Sequence, residues 1–142
     1  MISVSLSGSV LDHAAAQARV AREAYAAAVR RISGESAARL PGPQFAVAGM
    51  RAACDTMSAL LDRTPDALTA ACTAALFVGE AAERVVVAAE RLLADDAEGA
   101  ARLAELRRDL RATPPPVPDD RCRELVGKAA LGIDPEATPR WL

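Results

Sequence analysis

One histidine, three cysteines and a few scattered serines and acids are the side chains of this sequence that can do chemistry. His13 is the single imidazole. A metal site needs clustered ligands, and none stands near His13 in the chain. It reads as a solvated residue in the first turn of a helix. Asp95, Asp96 and Glu98 form a short acidic run that reads as a solvated helix end rather than a cation site. Ser36 and Ser58 have no histidine close in sequence to activate them. Gly8, Gly34, Gly42 and Gly49 are scattered and follow no strand, so no phosphate-cradling loop is expected. Cys54, Cys72 and Cys122 are an odd set without a CxxC pair, which argues against a disulfide framework. Cys54 and Cys72 fall on apolar helical faces and lack the electropositive setting of a reactive thiolate. Met50, Cys54, Met57, Cys72 and Phe77 read as ordinary core, not as the wall of a ligand cavity. The expectation is a non-enzymatic protein with no cofactor, no metal and no small-molecule substrate.

Composition says what kind of frame carries these residues. The chain has 142 residues, about a quarter of them alanine, and only 3% aromatics. Alanine is the strongest helix former. It also lets helices approach closely, but each alanine buries little area. A core of this kind needs long helices or a partner chain. The formal net charge is -2, with acids and bases intermixed and only Lys128 a lysine. No basic face stands out, so nucleic acid is not an expected partner. Residues 1–10 have no basic and apolar segments of a Sec signal peptide. The apolar stretch 67–82 is too short and too interrupted to span a membrane. The expected location is the cytoplasm, or outside the cell without a Sec signal.

The spacing predicts an all-α protein, an antiparallel helical hairpin or bundle of long amphipathic helices. Ser9 to Asp12 has capping-box spacing. Leu11, Ala14, Ala18, Ala21, Tyr25, Ala28 and Ile32 then repeat at three and four, predicting a first helix over about 9–33. Gly34 and the Pro41-Gly42-Pro43 run mark a reversing loop. A second helix starts near Pro43 or Gln44, with Val47, Met50, Cys54, Met57 and Leu61 on its seam. Thr64-Pro65-Asp66 has the pattern of a helix start, yet the apolar phase continues through Leu68, Cys72, Ala82, Val86, Ala89 and Leu93. One long helix kinked at Pro65 is therefore favoured, the alternative being two helices at a tight corner. A bend is expected near Glu98-Gly99. Residues 1–112 then form the helical domain and residues 113–118 a proline-rich spacer. Residues 119–142 hold a short helix, capped by Asp119 or Asp120 and ended by Gly132, and a tail carrying Trp141. The seams, Tyr25 among them, are the expected surface for a protein partner or for self-association. Trp141 is either a docking anchor or a residue folded back onto the bundle.

This layout resembles the small helical-hairpin proteins of type VII (ESX) secretion, the WXG and EspC-like superfamily. Those proteins carry Trp-x-Gly between two antiparallel helices and Tyr-x-x-x-Asp/Glu after the second. Ile32-Ser33-Gly34 stands at the first position, and Leu92 with Asp96 stands at the second. Both aromatics are replaced by aliphatics, while the glycine and the acid are kept. The resemblance covers about residues 1–110. It implies a non-enzymatic protein that is exported or pairs with an exported partner. A cytoplasmic helical adaptor or immunity-type binding protein, using its C-terminal tail, is the alternative.

Overall fold

Ser5 opens the first helix by accepting a hydrogen bond from the Gly8 amide on its hydroxyl, at 3.0 Å. The cap of helix α1, Leu6–Ser33, thus lies four residues before the expected Ser9. Its alanines favour helix intrinsically, and Arg30 and Arg31 sit favourably in its last turn, at the negative end of the helix dipole. The computed structural model describes residues 5–34 and 36–137, and every regular element among them is helical. A short 3-10 turn, Ser36–Arg39, leads to α2, Pro41–Arg63. Both prolines lie in the first turn of α2, where the missing amide hydrogens have no intrahelical partner to lose. That is why α2 starts at Pro41, ahead of the predicted Pro43 or Gln44.

The favoured kink at Pro65 is wrong. The chain reverses between Thr64 and Ala67, and α3, Leu68–Leu92, is a separate helix. Thr64 does not cap α3. Its hydroxyl turns back to the Leu60 carbonyl at 2.7 Å and so belongs to the end of α2. Asp66 does not serve α3 either. Its carboxylate accepts hydrogen bonds from the Ser5 and Ser7 hydroxyls at the start of α1. Ala67 takes the N-cap position with no side-chain bond. The apolar phase ran on through the reversal because the four connecting residues happen to restore the helical register. Phase alone carries no information on chain direction.

Asp96 starts the next helix, α4, Ala97–Ala112, by accepting from the Gly99 amide at 3.1 Å. The break expected at Glu98-Gly99 therefore falls just before it. Residues 113–118 then run without helix to α5, Asp119–Ala130. Neither Asp119 nor Asp120 caps α5. Both lie in its first turn behind Pro118, where their charge still suits the dipole. Gly132 ends α5 as predicted, with φ +67°. The Gly132 and Ile133 amides close the end by bonding the Ala129 and Lys128 carbonyls, a Schellman motif.

Cross-links between helices define the topology. Arg22 meets Ser58, and Asp66 meets Ser7, so α2 runs antiparallel to α1. Gly79 faces Gln17, and Arg31 pairs with Asp96 just past α3, so α3 runs parallel to α1. Arg102 meets Glu23 at 2.5 Å, and His13 donates from Nε2 to the Thr113 carbonyl at 3.0 Å, so α4 runs antiparallel again. The result is an up-down-up-down four-helix bundle with α5 packed against α3.

The most extensive contact is between the parallel pair α1 and α3. Ala14, Ala21, Ala24 and Ala28 on α1 are fully buried, as are Val78, Val86 and Ala89 on α3. Small side chains allow that close approach. The helix α2 packs against both members of the pair, as does α4. From α2 come Met50, Cys54 and Met57, and from α4 come Leu103 and Leu106. The predicted seams thus supply most of this core, with Tyr25, Val47 and Leu61 half-buried at its margin; Leu11 packs instead on the smaller cluster described next, and Ile32 is half-buried. A second, smaller cluster forms where α5 lies: Val10, Ala71, Cys72, Val117, Cys122 and Leu125. Among the described residues no helix is long and apolar enough to cross a membrane.

Candidate functional site

The turn motif sits at the corner where α1 gives way to α2. Ser33 donates to the Val29 carbonyl at 2.6 Å and finishes α1. Gly34 follows with φ -90°, and a side chain there would meet nothing within 4 Å. The glycine is thus not demanded by backbone conformation or crowding. Gln44, in the first turn of α2, reaches back to the Ala38 carbonyl at 2.9 Å and braces the corner. Between the two helices lies a shallow groove of about 170 Å³, lined by Val29, Ile32, Ser33, Ala38, Pro43, Gln44 and Val47. At the start of α2, Phe45 is 76% exposed and the N-cap residue Leu40 56%. Each is a large apolar side chain left in water at this corner. Phe45 and Leu40 were not singled out from sequence. The available signal was Phe45's phase, since it falls on the opposite side of α2 from the Val47–Met50–Cys54 seam.

The other sequence candidates are not gathered at this corner. Tyr25 is half-buried against the main core, and its hydroxyl meets the Arg51 guanidinium of α2. That hydrogen bond, with those of Asp55, holds the Arg51 pKa above its ordinary value. Tyr25 is therefore engaged inside the chain, between α1 and α2. Leu92 packs against the core at the end of α3. Asp96 is the N-cap of α4, and its other carboxylate oxygen lies 3.7 Å from Arg31. Trp141 lies outside the described residues.

Among the described residues, those singled out for their chemistry are spread over α1, α2, α3, α5 and the α3–α4 turn. His13 ties α1 to the start of the proline segment. Ser58 takes the Arg22 hydrogen bond. Asp95 and Glu98 are exposed at the α3–α4 turn. Cys54 is buried in the main core, which raises its pKa by desolvation and keeps it a neutral thiol. Among the described residues no group of three or more histidine, cysteine or acidic side chains is placed to hold a metal ion. An open groove of about 560 Å³ runs along α4, lined by Glu90, Ala100, Ala104, Arg107, Arg108, Arg111 and Ala112. Its central cation, Arg107, pairs with Glu90 at 2.9 Å and Glu83 at 3.5 Å. Those acids belong to α3, so the pair fastens α4 to the bundle.

The lone lysine has a structural task at the far end. Lys128 donates to Glu124 at 2.7 Å and to the Pro135 and Ala137 carbonyls at 3.1 and 2.8 Å. It folds the segment after α5 back on that helix. Hydrogen bonds from Lys128 and Arg121 hold the Glu124 carboxyl below its ordinary pKa.

No known protein family, curated protein or solved structure matches this chain.

Proposed function

We propose that this chain is a non-enzymatic helical protein associated with type VII secretion, exported or paired with an exported partner, which it binds through the α1–α2 corner. The observation that carries the binding part is the exposure of the corner, with the groove that holds Ile32 on one side of α2 and Phe45, 76% exposed, on the other. An exposed aromatic ring suits the apolar face of a partner helix as its anchor. The link to secretion rests on the helix–turn–helix layout and on Ile32-Ser33-Gly34 at the turn. Here α3 and α4 cover the inner faces of the hairpin, so a partner binds outside the bundle. Two measurements test this reading. Deleting the secretion ATPase should remove the protein from the culture supernatant. Phe45→Asp should leave the fold intact and weaken capture of the co-secreted partner at least tenfold. An unchanged extracellular level, or no extracellular protein in the parent strain, defeats the export reading.

A second reading, a cytoplasmic adaptor or immunity-type binding protein, is favoured by Asp96. The acid at the export-signal position is engaged as the cap of α4 and by Arg31. In that case the ATPase deletion changes nothing, and partner capture from cytosol still depends on Phe45.

A further inference from the structure

The second apolar cluster contains two thiols from helices far apart in sequence. Cys72 comes from α3 and Cys122 from α5, and both are buried. The two thiols pack into one cluster with Val10, Ala71, Val117 and Leu125, and the Cys122 thiol points at the Val117 carbonyl at 3.8 Å. Both are reduced in this structure, as is Cys54. Cys54 lies in the main core, away from this cluster. We infer that Cys72 and Cys122 are a dithiol modification site, oxidised to an intramolecular disulfide by a disulfide-class oxidant, and that the bond fastens α5 to the bundle.

The placement explains how the step would run. With α5 closed, burial and the neighbouring Cys72 push the Cys122 pKa up to about 12, so the thiol is inert. The helix α5 and the segment before it hold on through a small set of buried side chains, Cys122 and Leu125 on the helix and Val117 ahead of it. Sub-global opening of such an element is common. Once α5 lifts, the Cys122 thiolate attacks the oxidant RSSR, forming a mixed disulfide and releasing RS⁻. When α5 closes again, the Cys72 thiolate attacks the Cys122 sulfur and expels the second RS⁻. Two thiols and one RSSR become one protein disulfide and two RSH. A cross-link over the long segment 72–122 restricts the unfolded chain strongly.

The test uses the full-length native protein, incubated with oxidised glutathione, alkylated and mapped by mass spectrometry. The expected product has lost two hydrogens, carries a single Cys72–Cys122 bond, and leaves Cys54 free to alkylate after denaturation. It should melt roughly 10 °C higher than the reduced form, and reduction with dithiothreitol should reverse the shift. Cys54→Ser should give the same bond, whereas Cys122→Ser should give none. A mixture of the three possible pairings overturns the inference, because it reports reaction of the unfolded chain. So does a glutathione adduct without an internal bond, or a chain that stays fully reduced. If Cys122→Ser does not fold, the map of the parent protein still decides.

Discussion

Replacing Gly99 with alanine sets two effects of similar size against each other. Gly99 lies in the first turn of α4, and alanine is favoured over glycine in a helix by about 1 kcal/mol. On propensity alone the variant gains stability. The surroundings oppose this. A Cβ at this position stands 2.9 Å from Asp96 Oδ2 and 3.0 Å from Leu93 Cδ2. Neither neighbour yields easily. The Asp96 carboxylate is held by the Gly99 amide and by Arg31, and Leu93 is 1% exposed. Moving the carboxylate sacrifices the cap, about 1 kcal/mol, and displacing a packed leucine adds about 1 kcal/mol or more. The net expectation is a loss of roughly 1 kcal/mol, a fall in Tm of roughly 3 °C for a domain of this size. A double-mutant cycle isolates the cause. In an Asp96→Ala background the closest contact is gone, so Gly99→Ala should become neutral or stabilising. Urea unfolding of the four proteins reads all sides of the cycle. A higher Tm for Gly99→Ala alone, or equal costs in both backgrounds, would refute the steric account.

The parallel alanine interface has no room for a larger side chain, so Ala21→Leu should cost roughly 1–3 kcal/mol in urea unfolding. Met57→Ala empties a fully buried site on α2 and should lose about 2–5 kcal/mol, whereas Phe45→Ala, on the same helix but exposed, should stay within about 0.5 kcal/mol. The Cys122 pKa is raised from 9.0 to about 12 in the folded protein, so the unfolded chain releases that proton first as pH rises. Its contribution is full below pH 9 and falls away between pH 9 and 12. Measured under reducing conditions, Cys122→Ala should show a flatter decline across that range than the parent. Glu124 has the opposite sign. Its folded pKa is lowered by Lys128 and Arg121, so its contribution is present at neutral pH and is lost as pH falls through the acidic range. Glu124→Gln should therefore lessen the acid sensitivity of amide exchange in α5.

Much of the frame was legible because it follows from local physics. Gly34 and Gly132 mark helix ends, and Ala14, Ala18, Ala21 and Ala28 face the core as their spacing predicted. The reversal at Pro65 was not legible. It depends on Asp66 reaching Ser5 and Ser7, some sixty residues away in the chain. The same limit hid the meeting of Cys72 with Cys122, since a pass along the sequence sees two isolated cysteines. The corner at Ile32–Ser33 was foreseen as a turn, but the exposed neighbours that make it a candidate surface, Leu40 and Phe45, were not. Helical phase places a side chain opposite the seam. It does not say whether another helix of the same chain covers that side.

The parallel pairing of α1 with α3 has a consequence for a chain emerging from the ribosome. The helix α1 is made well before α3, and its main partner is not complete until Leu92. Through the synthesis of α2, the alanine face of α1 has only Met50, Cys54 and Met57 to lean on. An early product ending at Arg63 is therefore a loose, half-covered pair of helices. Cooperative folding waits for α3 to pack against both, and an interrupted translation product is the species most exposed to proteases and to association with its own kind.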